Sequence, residues 1–268
     1  MTRLNSVATA IAAAALLASS FVSADHHGGA YASSITKIDS NEFGIDAKEI
    51  ADINAQMQAA VDGGFIAGNI LLVGNSEGVG VLETAGTQGP GQSTPMDEQT
   101  FFRIYSMTKP IVSVATMTLV EDGLLAISDP VSKYIPEFAN MTVLNEETGA
   151  ITPAANEMTV QDLLTHESGL IYGIFDPQSE LGKIYFQAGS LRSDITALTL
   201  AQNLAALPLR FEPGTKWNYS RSTDVLGAVI EVAAGKPLDA LLNERIFAPL
   251  GMDETTFFVD VSKAARIA

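Results

Sequence analysis

From Asp46 onward, apolar spacing divides the chain into helical and extended stretches. Ile50, Ile53, Met57 and Val61 recur at i, i+3, i+7 and i+11, one stripe of an amphipathic helix that Gly63-Gly64 stops. Ile66–Val73 and Val79–Ala85 are apolar runs on either side of a Gly74-Asn75-Ser76-Glu77-Gly78 turn, the pattern of an antiparallel hairpin. Residues 86–98 form a Gly- and Pro-bearing loop. Between Met107 and Val120 apolar side chains fall on nearly every side, which predicts a helix buried in the middle of a domain and ended by Gly123. Pro136 argues against a strand over 131–138, and the polar stretch 139–157 reads as a surface excursion. Thr159 and Asp162 have capping-box spacing at the start of a helix with Val160, Leu163 and Leu164 inward, closing at His166-Glu167-Ser168-Gly169-Leu170. Gly173, Gly182 and Gly189 mark 171–198 as a mobile region. Thr199–Leu207 is amphipathic, and Phe211-Glu212-Pro213-Gly214 is a turn. Ser222 is placed to cap a strong helix with Val225, Leu226, Val229 and Ile230 inward and Gly235 at its end. Leu238–Ile246 predicts one more helical run and Thr255–Val259 a short strand. A helix followed by the start of a meander, then mostly helices, predicts an α+β fold rather than a doubly wound sheet.

Composition changes this picture at the N-terminus first. Arg3, the apolar run Val7–Leu17 and Val22-Ser23-Ala24 have the order of a signal peptide, with an uncleaved N-terminal anchor as the alternative. Residues 1–24 are therefore expected to be removed, 25–43 to be a flexible lead-in, and 44–268 to form the folded domain of a periplasmic or secreted protein with no membrane span after processing. Without residues 1–24 the chain keeps 14 basic against 31 acidic residues, a net charge of −17. Such a surface repels nucleic acid and anionic lipid. The chain has no cysteine, so disulfides, thiolate catalysis and Cys-ligated metals are excluded. The adjacent His26 and His27 have no carboxylate support and read as solvated.

Candidate chemistry is concentrated in Phe101–Gly123. Ser106 and Lys109 are three apart, so a helix would put them on one face. A serine hydroxyl becomes a nucleophile when a nearby base takes its proton, and a desolvated lysine can be that base. Ser-x-x-Lys arises about once by chance in a chain of this length. Ser34 and Lys37 form a second copy, with no apolar periodicity to fix its geometry. At 106 the helix N-terminus favours developing negative charge, and together with burial it is expected to push Lys109 toward its neutral form. By itself this segment is equally compatible with a serine that caps a buried helix and a lysine that reaches outward. His166 ends a helix with no acid positioned to orient it, and reads as a structural hydrogen-bonder.

Three landmarks in order give a resemblance. Ser106-Met107-Thr108-Lys109 opens an apolar helix; Leu163–Leu170 reads LLTHESGL; and Phe211-Glu212-Pro213-Gly214 is followed by Tyr219-Ser220, a helix ending in Gly235, and Pro249-Leu250-Gly251-Met252. From about residue 44 to 268 the chain resembles the serine β-lactamase-like, penicillin-recognising hydrolases, in the branch of class C β-lactamases, D-alanyl-D-alanine peptidases and family VIII esterases. The resemblance implies an antiparallel sheet flanked by helices with an all-helical subdomain. It also implies an acyl-enzyme on Ser106, Lys109 sharing its proton, Tyr219 as general base and acid, and the Ser106 main-chain N–H as an oxyanion donor. A lysine cation beside Tyr219 would lower the tyrosine's pKa from near 10. Arg221 and Tyr105 are placed at the substrate.

The chain departs from the pattern twice. Arg221 stands where lactamases and peptidases of this branch carry the asparagine of Tyr-x-Asn; arginine accepts no hydrogen bond, which turns the expectation from amides to esters. No Lys-Thr-Gly, His-x-Gly or Trp-Gly-Gly follows Tyr219, so the last strands of the sheet and one wall of the cleft are expected to be missing. The resulting expectation is an exported serine hydrolase acting on a small ester or acyl compound without a cofactor. A class C β-lactamase or D,D-peptidase is the enzymatic alternative, and an inactive or binding-only relative of the fold is the alternative of another class.

Overall fold

The structure, a computed structural model, describes residues 36–192 and 194–268. The expected signal peptide, the His26-His27 pair and Ser34 lie outside the described residues. The described residues divide into two compact units, one comprising residues 36–53 with Leu71–Glu83, the other Asn54–Ile70 with Thr84–Ala268.

In the first unit Lys37 bridges Val79 in parallel, and a 3-10 turn spans Ser40–Phe43. Helix α1, Ala47–Asp62, begins in this unit and ends in the second. Its Ile50, Ile53, Met57 and Val61 are all half-buried, as the spacing predicts. Strands β1 (Gly68–Gly74) and β2 (Val79–Gly86) pair in a two-stranded sheet. The turn between them is held by Asn75, whose Oδ1 accepts the N–H groups of Glu77 at 2.8 Å and Gly78 at 3.1 Å. That asparagine side chain takes the place of a backbone acceptor.

The second unit is mainly helical. A 3-10 turn, Tyr105–Met107, leads into α2, Thr108–Glu121. Two short strands follow, β3 (Thr142–Leu144) and β4 (Ile151–Pro153), then α3 (Val160–Thr165), α4 (Glu180–Gln187), α5 (Ala197–Ala205), α6 (Ser222–Ala234) and α7 (Leu238–Leu242). A π-helical turn, Asn243–Phe247, continues α7. Helix α6 is the centre of this unit. It packs against α2, α3, α5 and α7, and Val225, Leu226, Ala228, Val229 and Ile230 are completely buried. Gly235 ends it in the left-handed conformation at φ 62°, as glycine does where a Cβ would be strained.

Several expectations change. Helix α2 is not buried all round: Val112, Ala115, Thr116 and Leu119 form one buried stripe, while Val114 is 54% exposed. Apolar residues on every side leave the buried face undetermined by composition, and the helices that pack on it choose one. Residues 139–157 contain a paired hairpin, with Val143 opposite Thr152 and also bridged to Leu209. Its β-branched residues flank a polar Asn-Glu-Glu-Thr-Gly turn, so short strands pair within a stretch that is polar on average. The stretch 171–198 holds α4, whose Leu181 and Tyr185 are completely buried, so it carries a packed helix where mobility was expected. Ser222 is the first residue of α6 and makes no cap; its hydroxyl bonds Ser168 and Ser220 at 2.7 Å each. No strand forms over 255–259; a 3-10 turn at Val261–Arg266 follows instead.

Gly169 shows how tightly the two later landmarks meet. Its φ is 81°, and a Cβ there would lie 2.4 Å from the main-chain oxygen of Phe211. The carbonyl of Gly169 also accepts the N–H of Arg210 at 2.8 Å. Gly169→Ala is therefore expected to cost about 2 kcal/mol or more in urea unfolding, from left-handed strain and backbone overlap together. A loss below about 0.5 kcal/mol would show that the two segments are not pressed together as described.

Candidate active site

Ser106 sits in the 3-10 turn before α2, and Lys109 lies in the first turn of α2 with Pro110 after it. Proline is tolerated there because a first-turn N–H has no helical partner to lose. Tyr105, just before the serine, has φ 42° and a side chain 77% exposed. A non-glycine residue in that region is strained, and such strain gathers at working sites. The expected substrate contact at Tyr105 thus corresponds to an exposed ring on a strained backbone.

Tyr219 arrives from the other side, on the segment that leads into α6. Its hydroxyl is 2.5 Å from Ser106 Oγ, and Lys109 Nζ donates to the same Oγ at 3.1 Å. A lysine three residues on and a tyrosine far along the chain thus converge on one serine oxygen. Lys109 Nζ lies 4.7 Å from the centre of the Tyr219 ring and 5.6 Å from that of Tyr172. The Tyr219 ring is packed by His166 at 4.9 Å, Tyr172 at 5.5 Å and Phe175 at 6.2 Å between centroids.

The electrostatics reverse one expectation. Burial works to lower the pKa of Lys109, but hydrogen bonding to the phenols of Tyr219 and Tyr172 outweighs it and raises the pKa above the ordinary 10.5. Lys109 is thus held as an ammonium, not as the neutral base that burial alone suggested. For Tyr219 burial works upward, yet hydrogen bonds from Lys109 and Ser106 outweigh it and bring the phenol below 10. Both shifts run in the direction of a phenolate beside an ammonium, with the serine hydroxyl in contact with each.

Arg221 is drawn into the protein. Its Nη1 donates to Asp224 at 3.0 Å, its guanidinium carbon lies 4.9 Å from the Tyr172 ring centre, and its side chain is only 13% exposed. Tyr172 was not anticipated, since it falls in the glycine-bearing stretch with no periodicity around it; two cations flank its ring. The only signal for it was its place directly after the LLTHESGL landmark. Beneath Tyr219 lies a narrow cleft lined by Tyr172, Phe175, Asp176, Arg210 and Asn218. Arg210 and Asn218 also line an open groove of about 560 Å³ with Lys216 and Trp217. Among the described residues no three His, Asp or Glu side chains gather as a metal site, and no helix is long and apolar enough to cross a membrane.

Comparison with known proteins gives the family and the fold. The family model described as Beta-lactamase matches residues 53–268. Esterase EstB of Burkholderia gladioli is 34% identical over 225 residues, covering 82% of this chain and 55% of that protein. The lovastatin esterase of Penicillium rubens is 32% identical over 213 residues, covering 77% of this chain and 52% of that protein. Among solved structures, EstCE1, described as a hydrolase with promiscuous acyltransferase activity, superposes with a TM-score of 0.69 at 31% identity, covering 83% of this chain and 55% of its own. The chain spans about half the length of the curated relatives it matches.

Proposed function

The chain belongs to the Beta-lactamase family, with its mixed helical and antiparallel-sheet fold, and on that premise we propose that it hydrolyses small esters through an acyl-enzyme on Ser106. The observation that carries the reading is the convergence of Lys109 Nζ and the Tyr219 hydroxyl on Ser106 Oγ. In the proposed reaction the Tyr219 phenolate takes the Ser106 proton as Oγ bonds to the acyl carbon. The carbonyl oxygen becomes an oxyanion, with the Ser106 main-chain N–H as one donor. As the intermediate collapses, the acyl–oxygen bond breaks and the departing alkoxide takes the proton from Tyr219. Water then repeats the sequence in reverse and frees the acid. If an alcohol takes the place of water, the same two steps transfer the acyl group. Lys109 keeps its proton throughout and stabilises the phenolate, in line with its raised pKa.

Esters are favoured over β-lactams and peptides because the position after Ser220 offers no acceptor to a substrate amide. Arg221 has only donors; its Nη1 is given to Asp224 and its guanidinium lies over the Tyr172 ring. Named relatives with esterase activity support the same choice.

A fluorophosphonate probe followed by peptide mapping tests the reading. A single adduct on Ser106, lost in Ser106→Ala along with p-nitrophenyl ester hydrolysis, is expected. Equal labelling of Ser106→Ala would refute the assignment, and hydrolysis of nitrocefin as fast as short esters would refute the substrate class.

A further inference from the structure

His166 has no part in the proton transfers described above, yet it makes more contacts with the tyrosine segment than its place at the end of a helix requires. It closes α3 in the left-handed conformation at φ 60°. Its main-chain oxygen accepts the N–H of Asn218 at 2.8 Å, and its Nδ1 accepts the N–H of Ser220 at 3.2 Å. Asn218 and Ser220 are the two neighbours of Tyr219. The imidazole also packs on the Tyr219 ring at 4.9 Å, with Trp217 edge-on at 6.5 Å. One residue thus holds the main chain at Asn218 before the tyrosine, at Ser220 after it, and the ring between.

We propose that His166 is a positioning residue that keeps the Tyr219 hydroxyl on Ser106 by gripping the main chain on both sides of the tyrosine, and that protonation of its imidazole releases one side of that grip. The proposal rests on the reading of Ser106 and Tyr219 as the acyl-transfer pair. Its chemical basis is the direction of the Ser220 bond. An Nδ1 that accepts an N–H carries no proton, so the imidazole is neutral with its proton on Nε2. Protonation would put a second donor opposite the Ser220 N–H and leave that N–H without an acceptor in a residue that is fully buried. The Ser220 hydroxyl, 3.4 Å from Nδ1 and bonded to Ser222, can accept the new Nδ1–H, but that satisfies the imidazolium and still leaves the Ser220 N–H without its acceptor. The titratable and charged groups facing the imidazole are Lys109 from α2, Asp224 from α6 and Tyr219 from the segment between. Burial lowers the His166 pKa, the Lys109 cation lowers it further, and Asp224 opposes them, so the neutral form persists to below the usual 6.5.

The consequence is an acid switch beneath the tyrosine's own titration. With Tyr219 as the base, log kcat/KM should rise with a slope of one on the acid side; where His166 also protonates, the slope should steepen to two. The experiment uses the full chain, its His166→Asn and His166→Ala variants, p-nitrophenyl butyrate, and amide NMR of Ser220 across about pH 5 to 8. Asparagine supplies an acceptor near the place of Nδ1, tolerates the left-handed backbone and does not titrate. In the unaltered chain the Ser220 amide should shift with the imidazole resonance, in step with the extra acid limb. In His166→Asn both should vanish. In His166→Ala kcat should fall roughly tenfold to a hundredfold with KM little moved, the effect of a misplaced catalytic group. A Ser220 amide in the unaltered chain that ignores the imidazole titration would overturn the proposal, as would a slope of two that survives in His166→Asn. If no ester is cleaved at any pH, the acyl-transfer reading fails, while the Ser220 titration still decides whether His166 holds the segment.

Discussion

Tyr219→Phe is expected to lower kcat for p-nitrophenyl esters by roughly a thousandfold, the middle of the range for a positioned general base. The substitution removes one oxygen and leaves the ring against His166, Tyr172 and Phe175, so binding and stability should change little. Ser106 would keep its contact with Lys109 Nζ. In the unaltered chain that lysine is held as an ammonium by its hydrogen bonds to Tyr219 and Tyr172, so the phenol and not the amine is placed to take the Ser106 proton. The pH profile makes the same point. Activity should rise as Tyr219 loses its proton, with an inflection below 10, and fall as Lys109 loses its own, above 10.5. The phenol sits below its ordinary value and the ammonium above it, so the pairing widens the working range on both sides. A loss of less than about fivefold in Tyr219→Phe would show that lysine serves as the base after all.

Leu226→Ala is expected to destabilise the protein by about 2–5 kcal/mol, the range for deleting a fully enclosed leucine and leaving a cavity. Leu226 is completely buried on α6, the helix on which α2, α3, α5 and α7 all pack. The measurement is the urea midpoint, which should fall with the slope of the transition unchanged. Activity below the new midpoint should fall less than stability does, since Tyr219 is held by His166 from α3 as well as by its place just before α6. A cost under about 1 kcal/mol would mean that α6 is not the enclosed centre of the unit.

The site was legible to different depths. Ser106 and Lys109 could be paired by spacing, because one helical turn brings residues three apart together. No local rule could bring Tyr219 to the same oxygen, since that depends on α6 crossing α2. The reading of Lys109 went the wrong way for the same reason: burial is visible in an apolar run, whereas the two phenols that hold its proton come from distant segments. Tyr172 and the second role of His166 were illegible, because both act through neighbours far along the chain. The hairpin at β3 and β4 was missed where a polar turn outweighed short flanking strands.

By itself the sequence determined where most of the longer helices run, that α6 turns Val225, Leu226, Val229 and Ile230 inward, which serine has a lysine one turn away, and that thiol chemistry is excluded. These follow from periodicity, caps and composition, which are local. Only the tertiary structure decided which face of α2 is buried, that Arg221 turns to Asp224 and Tyr172, that Lys109 keeps its proton, and that His166 grips the chain around Tyr219. Each of those depends on which segments meet, and hydrogen bonds over a few ångströms between distant residues leave no pattern in the order of residues along a chain.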